Sequence, residues 1–250
     1  MSEEKATKDI EMNVTDHLQE LRKRVIWTLV FFIGFFVVGF VYYEDLSGFF
    51  INDIPFQLNM TSPGEIVWIV FTIASLVAIV GTLPILSLQV WLFVKPALTP
   101  KEKRVSLSYI PAIFLLFLGG LTFGYVVFIH FILPFLLNLN NGVFNEIFTV
   151  ERYFKFLFRV TIPFAVLFEI PILIMFLTSL GIVNPVFLVK VRKYAYFVLV
   201  IIGTIISPPD FILQLVVAVP LIVLYEVSIV LSRIVYRKKL KNHKEFMEQD

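Results

Sequence analysis

The chain has 250 residues, of which 58% are hydrophobic and 16% charged, with a formal net charge of +2. Soluble domains hold about a quarter charged residues and less than half apolar ones, so apolar residues gathered in long runs exclude a water-soluble fold. So small a net charge gives no electrostatic footprint for nucleic acid, and the lack of cysteine excludes disulfides and thiol chemistry.

The first 24 residues are polar and mixed in charge. The apolar run after them is long and lacks a small-residue cleavage pattern, so the first span is expected to be retained rather than removed as a signal. Asp16 and Gln19 have the spacing of a capping box. Leu18, Leu21 and Val25 share one helical face, which predicts a surface helix leading into the first span.

Six apolar stretches follow, at about 25–43, 66–94, 107–133, 160–180, 194–206 and 211–231. Backbone amides in hydrocarbon must be paired within their own segment, so each stretch is expected to be a helix. Spans two and three carry Pro84, Pro111 and Pro134, span four Pro163 and Pro171, and span six Pro220. Each proline removes a backbone donor and bends the rod. The fold class is therefore an all-α membrane protein of six transmembrane helices in a kinked bundle. Its domains are a 1–24 segment with a surface helix, a 25–236 transmembrane domain and a polar 237–250 tail.

The fifth span is short. About 13 apolar residues separate Lys193 from Ser207, which at about 1.5 Å each reach about 20 Å of a core about 30 Å thick. Ser207-Pro208-Pro209-Asp210 then reverses the chain, so spans five and six are expected to form a short hairpin. Such a hairpin sits deep in protein or thins the bilayer, and thinning would ease the passage of polar chain.

Basic residues alternate along the sequence. Lys5, Lys8, Arg22, Lys23 and Arg24 precede span one, and none occurs at 44–65. Lys95, Lys101, Lys103 and Arg104 follow span two, and none occurs at 130–151. Lys190, Arg192 and Lys193 precede span five, and the chain ends with six basic residues from Arg233 to Lys244. The pattern predicts that both termini lie in the cytoplasm. Arg152, Lys155 and Arg159 break it; their common helical face predicts an extension of helix four beyond the bilayer.

The sequence argues against an enzyme. It has no phosphate-binding Gly-x-x-x-x-Gly-Lys loop and no His-Glu-x-x-His. His17, His130 and His243 fall in different compartments, which disfavours a metal site or a Ser–His pair. No cofactor is expected.

Four acids invite attention. Glu20 has Lys23 and Arg24 at i+3 and i+4, so it is either a helix ion pair or a binding group. Glu102 is the sole acid of the basic 95–104 loop and alone reads as a counter-ion. Glu169, in Phe168-Glu169-Ile170-Pro171, falls near mid-membrane, where an acid is costly unless neutral or paired. It either serves function or bonds a carbonyl freed by Pro163 or Pro171. Glu226, in Leu224-Tyr225-Glu226, reads with its tyrosine as an interfacial anchor. Gln89 and Gln214 are weaker candidates that join helices within the bundle.

Together the motifs resemble a known family. They are His17-Leu18-Gln19-Glu20-Leu21-Arg22, Gln89 to Leu98 with Glu102, Phe168-Glu169-Ile170-Pro171, Arg192-Lys193-Tyr194, Ser207-Pro208-Pro209-Asp210 and Leu224-Tyr225-Glu226. In this order, from about Asp16 to Arg237, they are similar to TatC, the multi-spanning signal-peptide receptor of the twin-arginine protein translocase. Thr99 stands where that family often has tyrosine.

The resemblance implies a translocase core subunit that binds twin-arginine signal peptides of folded cargo. It also implies recruitment of TatA-type, and in some systems TatB-type, single-span partners, with transport driven by the proton-motive force. Glu20, Glu102 and Phe93 match the family's signal-peptide site. Glu169, Asp210 and Gln214 match its partner-binding positions. Other copies of the chain and the lipid bilayer complete the implied partners, and the implied location is the cytoplasmic membrane of a prokaryote. The alternative from the residues alone is a proton-coupled secondary transporter, for which broken helices and Glu169 would serve.

Overall fold

The computed structural model describes residues 2–95, 103, 106–139, 147–208 and 210–247, with side chains from Leu18 to Leu240 among them. The elements are helical throughout: α1 Ser2–Val41, α2 Tyr43–Ile51, α3 Gly64–Val94, α4 Tyr109–Val127, a π-helical turn Phe128–Ile132, α5 Leu133–Leu139, α6 Val150–Leu167, α7 Ile170–Leu180, α8 Pro185–Ile206 and α9 Phe211–Met247.

Among the described residues, five helical stretches are long and apolar enough to cross a membrane: Leu18–Val41, Gly64–Val94, Tyr109–Leu139, Val150–Leu180 and Phe211–Leu240. The sixth expected span is α8, whose first half holds Lys190, Arg192 and Lys193 and whose apolar part is short. Large apolar side chains such as Phe71, Leu115, Phe197 and Phe211 stand more than half exposed on the outside of the bundle. Lipid, not water, is the solvent that tolerates such a surface.

Two boundaries differ from those expected. The helix of span one has no start at Asp16; α1 is continuous from Ser2, because the preceding residues include good helix formers such as Glu, Lys and Ala. The sixth helix is long rather than short, with 37 residues in α9, since no proline or glycine follows Pro220 to stop it. Span four is bent, as its prolines lead one to expect. Pro171 leaves a backbone carbonyl without its donor, and the chain breaks between α6 and α7 at Phe168 and Glu169. Pro134 has a milder effect: it follows the π-helical turn, which takes up the disturbance within a continuous span.

Small residues set the helix spacing. Gly39 lies so near α3 that a Cβ on it would come 2.8 Å from Ala74 Cα. At the α4–α6 crossing, a Cβ on Gly120 would come 2.7 Å from Ala165 Cα and one on Gly124 would come 2.8 Å from Thr161 Cα. Both pairs are four residues apart, so two antiparallel helices mesh backbone to backbone, as small-residue pairs allow in lipid. Around that crossing, Phe128, Phe154, Leu157 and Phe164 are wholly buried. Their rings meet edge to face, as in Phe50–Phe154 at 6.2 Å and Phe128–Phe156 at 5.3 Å.

The end of the bundle away from the basic loops is stitched by polar contacts. Tyr153 donates to Phe50 O at 2.7 Å, and Tyr125 to Asp53 at 2.8 Å. The 52–63 connection pairs with the start of α6 through Asn59 N–Phe148 O at 2.8 Å and Val150 N–Asn59 O at 3.1 Å. Phe56 stacks on Phe148 beside this bridge. Glu65 accepts from the hydroxyl and the amide of Thr61 at the start of α3.

Arg159 marks the depth at which α8 ends. It lies nine residues into α6, about 13 Å along the helix, and donates to Ile205 O at the end of α8 at 2.9 Å. A cation at a helix C-terminus satisfies carbonyls that have no partner of their own. The three basic residues of α6 are thus employed separately: Lys155 pairs with Glu151 and lies over the Trp68 ring, and Arg152 lines a cavity at the same end.

Candidate functional site

At the basic end, α1 and α3 diverge and leave a groove of about 410 Å³. Leu21, Val25, Leu29 and Phe32 form one wall; Leu86, Val90 and Phe93 form the other. Arg24 and Gln89 are its polar residues, with the Thr28 hydroxyl turned to Arg24 O. Arg24 pairs with Glu20 one turn before it and donates to Gln89 at 3.3 Å. Of the two ion-pair partners expected for Glu20, Arg24 is therefore the one it has. The carboxylate is the more open member, at 38% side-chain exposure against 18% for the arginine. Phe93 thus lines the groove, and Glu20 does not line it but reaches its edge through the ion pair with Arg24. Glu102 lies outside the described residues.

Glu169 occupies the break between α6 and α7, and its carboxyl faces a second cavity of about 310 Å³. Trp91, Ser87 and Ser106 supply polar atoms to that cavity, and the rest of its wall is mostly apolar. Trp91 Nε1 donates to Ser106 at 2.8 Å. The Glu169 Oε1 atom is buried and, among the described residues, has no hydrogen-bond partner, so a carbonyl freed by Pro163 or Pro171 does not account for it. A buried carboxyl oxygen left unsatisfied is costly, which makes this half-buried acid a candidate for contact with a partner. Leu86 and Val90 line both cavities, so α3 is the wall between them.

Asp210 and Gln214 are brought to neither cavity. Asp210 caps α9, its Oδ1 accepting from Ile212 N at 2.8 Å and Leu213 N at 3.1 Å. Gln214 donates to Thr204 at 2.6 Å and ties α9 to α8. Both lie at the end of the α8–α9 hairpin, and both have structural work there.

Two arrangements were not anticipated in the sequence. Glu226 accepts from Arg192 Nη2 at 2.9 Å and from the Tyr196 hydroxyl, closing a polar triad between α8 and α9. Tyr225 donates to Leu188 O at 2.9 Å, so the Tyr225-Glu226 pair clasps two helices instead of anchoring one to an interface. The Arg24–Gln89 contact joins residues 65 apart in sequence. Gln89 joins helices, as expected of it, but nothing in the sequence names its partner.

Comparison with known proteins gives a consistent result. The model of the family described as TatC, Sec-independent protein translocase protein, matches residues 16–220. The Sec-independent protein translocase protein TatCd of Bacillus subtilis (strain 168) is 43% identical over 92% of this chain and 96% of its own length. The TatC protein of Halalkalibacterium halodurans is 41% identical over 96% of each chain. A crystal structure of a twin arginine translocase receptor, TatC, matches with a TM-score of 0.73 and 31% identity, over 88% of this chain and 99% of that one. These relatives are components of a protein translocase, which weighs against the solute-transporter alternative. The chain belongs to the TatC family of Sec-independent protein translocase proteins, and so to the multi-pass membrane transport proteins rather than to the enzymes.

Proposed function

We propose that this chain is the signal-peptide receptor of a twin-arginine translocase in a bacterial cytoplasmic membrane, with both termini in the cytoplasm. The observation that carries the reading is the ion pair at Glu20. This carboxylate already accepts a guanidinium, that of Arg24, at the mouth of an apolar groove. Arginine's planar fork suits a carboxylate better than lysine's ammonium does, and a signal peptide offers an arginine pair followed by an apolar stretch. Glu20 and Glu102 take the two arginines in this reading, and Phe93 contacts the peptide in the groove. The positive-inside pattern supports the orientation that exposes this end to cargo.

Binding of a twin-arginine peptide to the purified protein, with a twin-lysine peptide as control, tests the proposal. Preference for the arginine form by tenfold or more is expected, about 1.4 kcal/mol. Equal affinity for the two peptides in folded protein would overturn it.

Glu169 serves a second contact in the same reading. Its unsatisfied carboxyl meets a polar group on the single helix of a TatA-type or TatB-type partner, and Asp210 and Gln214 lie where further partner helices or copies of the chain dock. Polar contacts between helices in lipid contribute about 1–2 kcal/mol. Glu169→Ala is expected to lower copurification of the TatA-type partner by about five- to thirtyfold while leaving peptide affinity unchanged. Wild-type partner yield in that variant would count against the assignment.

A further inference from the structure

We infer that the cavity between the start of α8 and the basic stretch of α9 is a binding site for the headgroup of an anionic phospholipid. The cavity holds about 340 Å³ and is lined by Asn184, Pro185, Val186 and Val189 of α8 and by Arg233, Tyr236 and Arg237 of α9. None of these residues belongs to the peptide groove or to the Glu169 cavity.

The charge of the cavity is unbalanced. Arg233 and Arg237 are one helical turn apart, and like charges at that spacing repel. Among the described residues the ion pairs are Glu20–Arg24, Glu151–Lys155 and Glu226–Arg192, so neither arginine has a carboxylate partner. Glu226, the acid two turns before Arg233 on α9, is taken by Arg192 and Tyr196. The start of α8 adds no negative charge: Asn184 caps it by accepting from Val186 N at 2.9 Å, and the positive end of the helix dipole lies there. An oxyanion between the two guanidiniums would satisfy both, and phosphate matches their fork geometry.

The walls name the source of the phosphate. Val186 is 72% exposed and Val189 37% exposed, and Phe187 beside them is 56% exposed, so the rim on the α8 side is apolar and open. Arg233 follows Phe211 by 22 residues, about 33 Å along α9, which is the depth of a bilayer surface. Tyr236 supplies the amphipathic ring usual at that depth. A free anion has no use for the apolar rim, whereas a phospholipid lays its acyl chains along it. The site is also held in place. Lys239 donates to Ser179 O at 2.8 Å, fixing α9 to the end of α7 just before the Gly181 turn, where the backbone takes a φ of 84°.

The test uses the full chain in detergent after removal of bound lipid. Thermal unfolding is followed on adding phosphatidylglycerol, phosphatidylcholine or inorganic phosphate, and retained lipid is counted by native mass spectrometry. Phosphatidylglycerol is expected to raise the melting temperature by several degrees and to be retained at least tenfold more than phosphatidylcholine. Arg233→Gln with Arg237→Gln is expected to abolish both effects. Val186→Glu, a change at an open position that supplies an internal carboxylate, is expected to do the same while the protein stays folded. Undiminished preference for phosphatidylglycerol in both variants would overturn the site. A shift of equal size from inorganic phosphate would overturn the lipid as its ligand.

Discussion

Glu20→Lys is expected to lower the affinity for a twin-arginine signal peptide by about a hundredfold while leaving the bundle folded. A hydrogen bond to a charged group contributes about 1.5–3 kcal/mol, and a hundredfold is about 2.7 kcal/mol. The reversal removes that contact and sets a cation where the peptide's arginine would sit. Stability suffers little, because the pair it breaks is an i,i+4 contact with a half-exposed carboxylate, and such pairs contribute a few tenths of a kcal/mol. The packing of α1 on α3 rests elsewhere, on the close approach of Gly39 to Ala74. Arg24→Gln separates the two roles of the ion pair. It removes the resident guanidinium that a peptide must displace, so affinity is expected to rise by two- to fivefold. Titration of labelled peptide, read by fluorescence anisotropy with thermal melts of each variant, checks both. A Glu20→Lys affinity within twofold of the parent would sink the assignment of this carboxylate.

The membrane architecture was legible because hydrocarbon imposes so few solutions. Any long apolar run must be helical, and the shortness of span five followed from counting residues between Lys193 and Ser207. Arg159 shows where sequence neighbours stop informing: α6 begins at Val150, in keeping with the expected extension of helix four, but the partner of Arg159 is the end of α8, 46 residues away. The same limit applies to Glu226, whose partner Arg192 is on another helix. Residues 43–51 were missed as a helix, since nine residues with two acids fall below any spanning signal. At the candidate site, Glu20, Phe93 and Glu169 were visible as residue types in a motif. The groove that Phe93 lines and Glu20 reaches through Arg24 depends on how α1 leans on α3, and one sequence does not encode that angle in a readable pattern.

The glycine pair of α4 could have been read, since Gly120-x-x-x-Gly124 is the spacing of close helix contact in lipid. Its neighbour Gly119 makes the consequence sharp. A Cβ at Gly119 meets nothing within 4 Å, whereas one at Gly120 would lie 2.7 Å from Ala165 Cα and 2.9 Å from Phe164 O. Both of those are backbone atoms, which cannot move aside as a side chain can. Gly119→Ala is expected to be neutral or to stabilise by up to about 1 kcal/mol, the helix-propensity difference. Gly120→Ala is expected to destabilise by about 1–3 kcal/mol, the usual penalty of overpacking. Gly120→Leu goes further, because the added bulk must part α4 from α6 along the crossing. The harm is not confined to stability. The chain passes from α6 to α7 through Glu169, so a displaced α6 carries that carboxyl out of its cavity between α3, α4 and α7. Partner copurification is therefore expected to fall in Gly120→Leu even in the fraction that remains folded, while peptide binding at the α1–α3 groove persists. Thermal unfolding of the adjacent alanine variants decides the packing argument. Equal melting temperatures for Gly119→Ala and Gly120→Ala would mean that α4 and α6 do not meet backbone to backbone at this crossing.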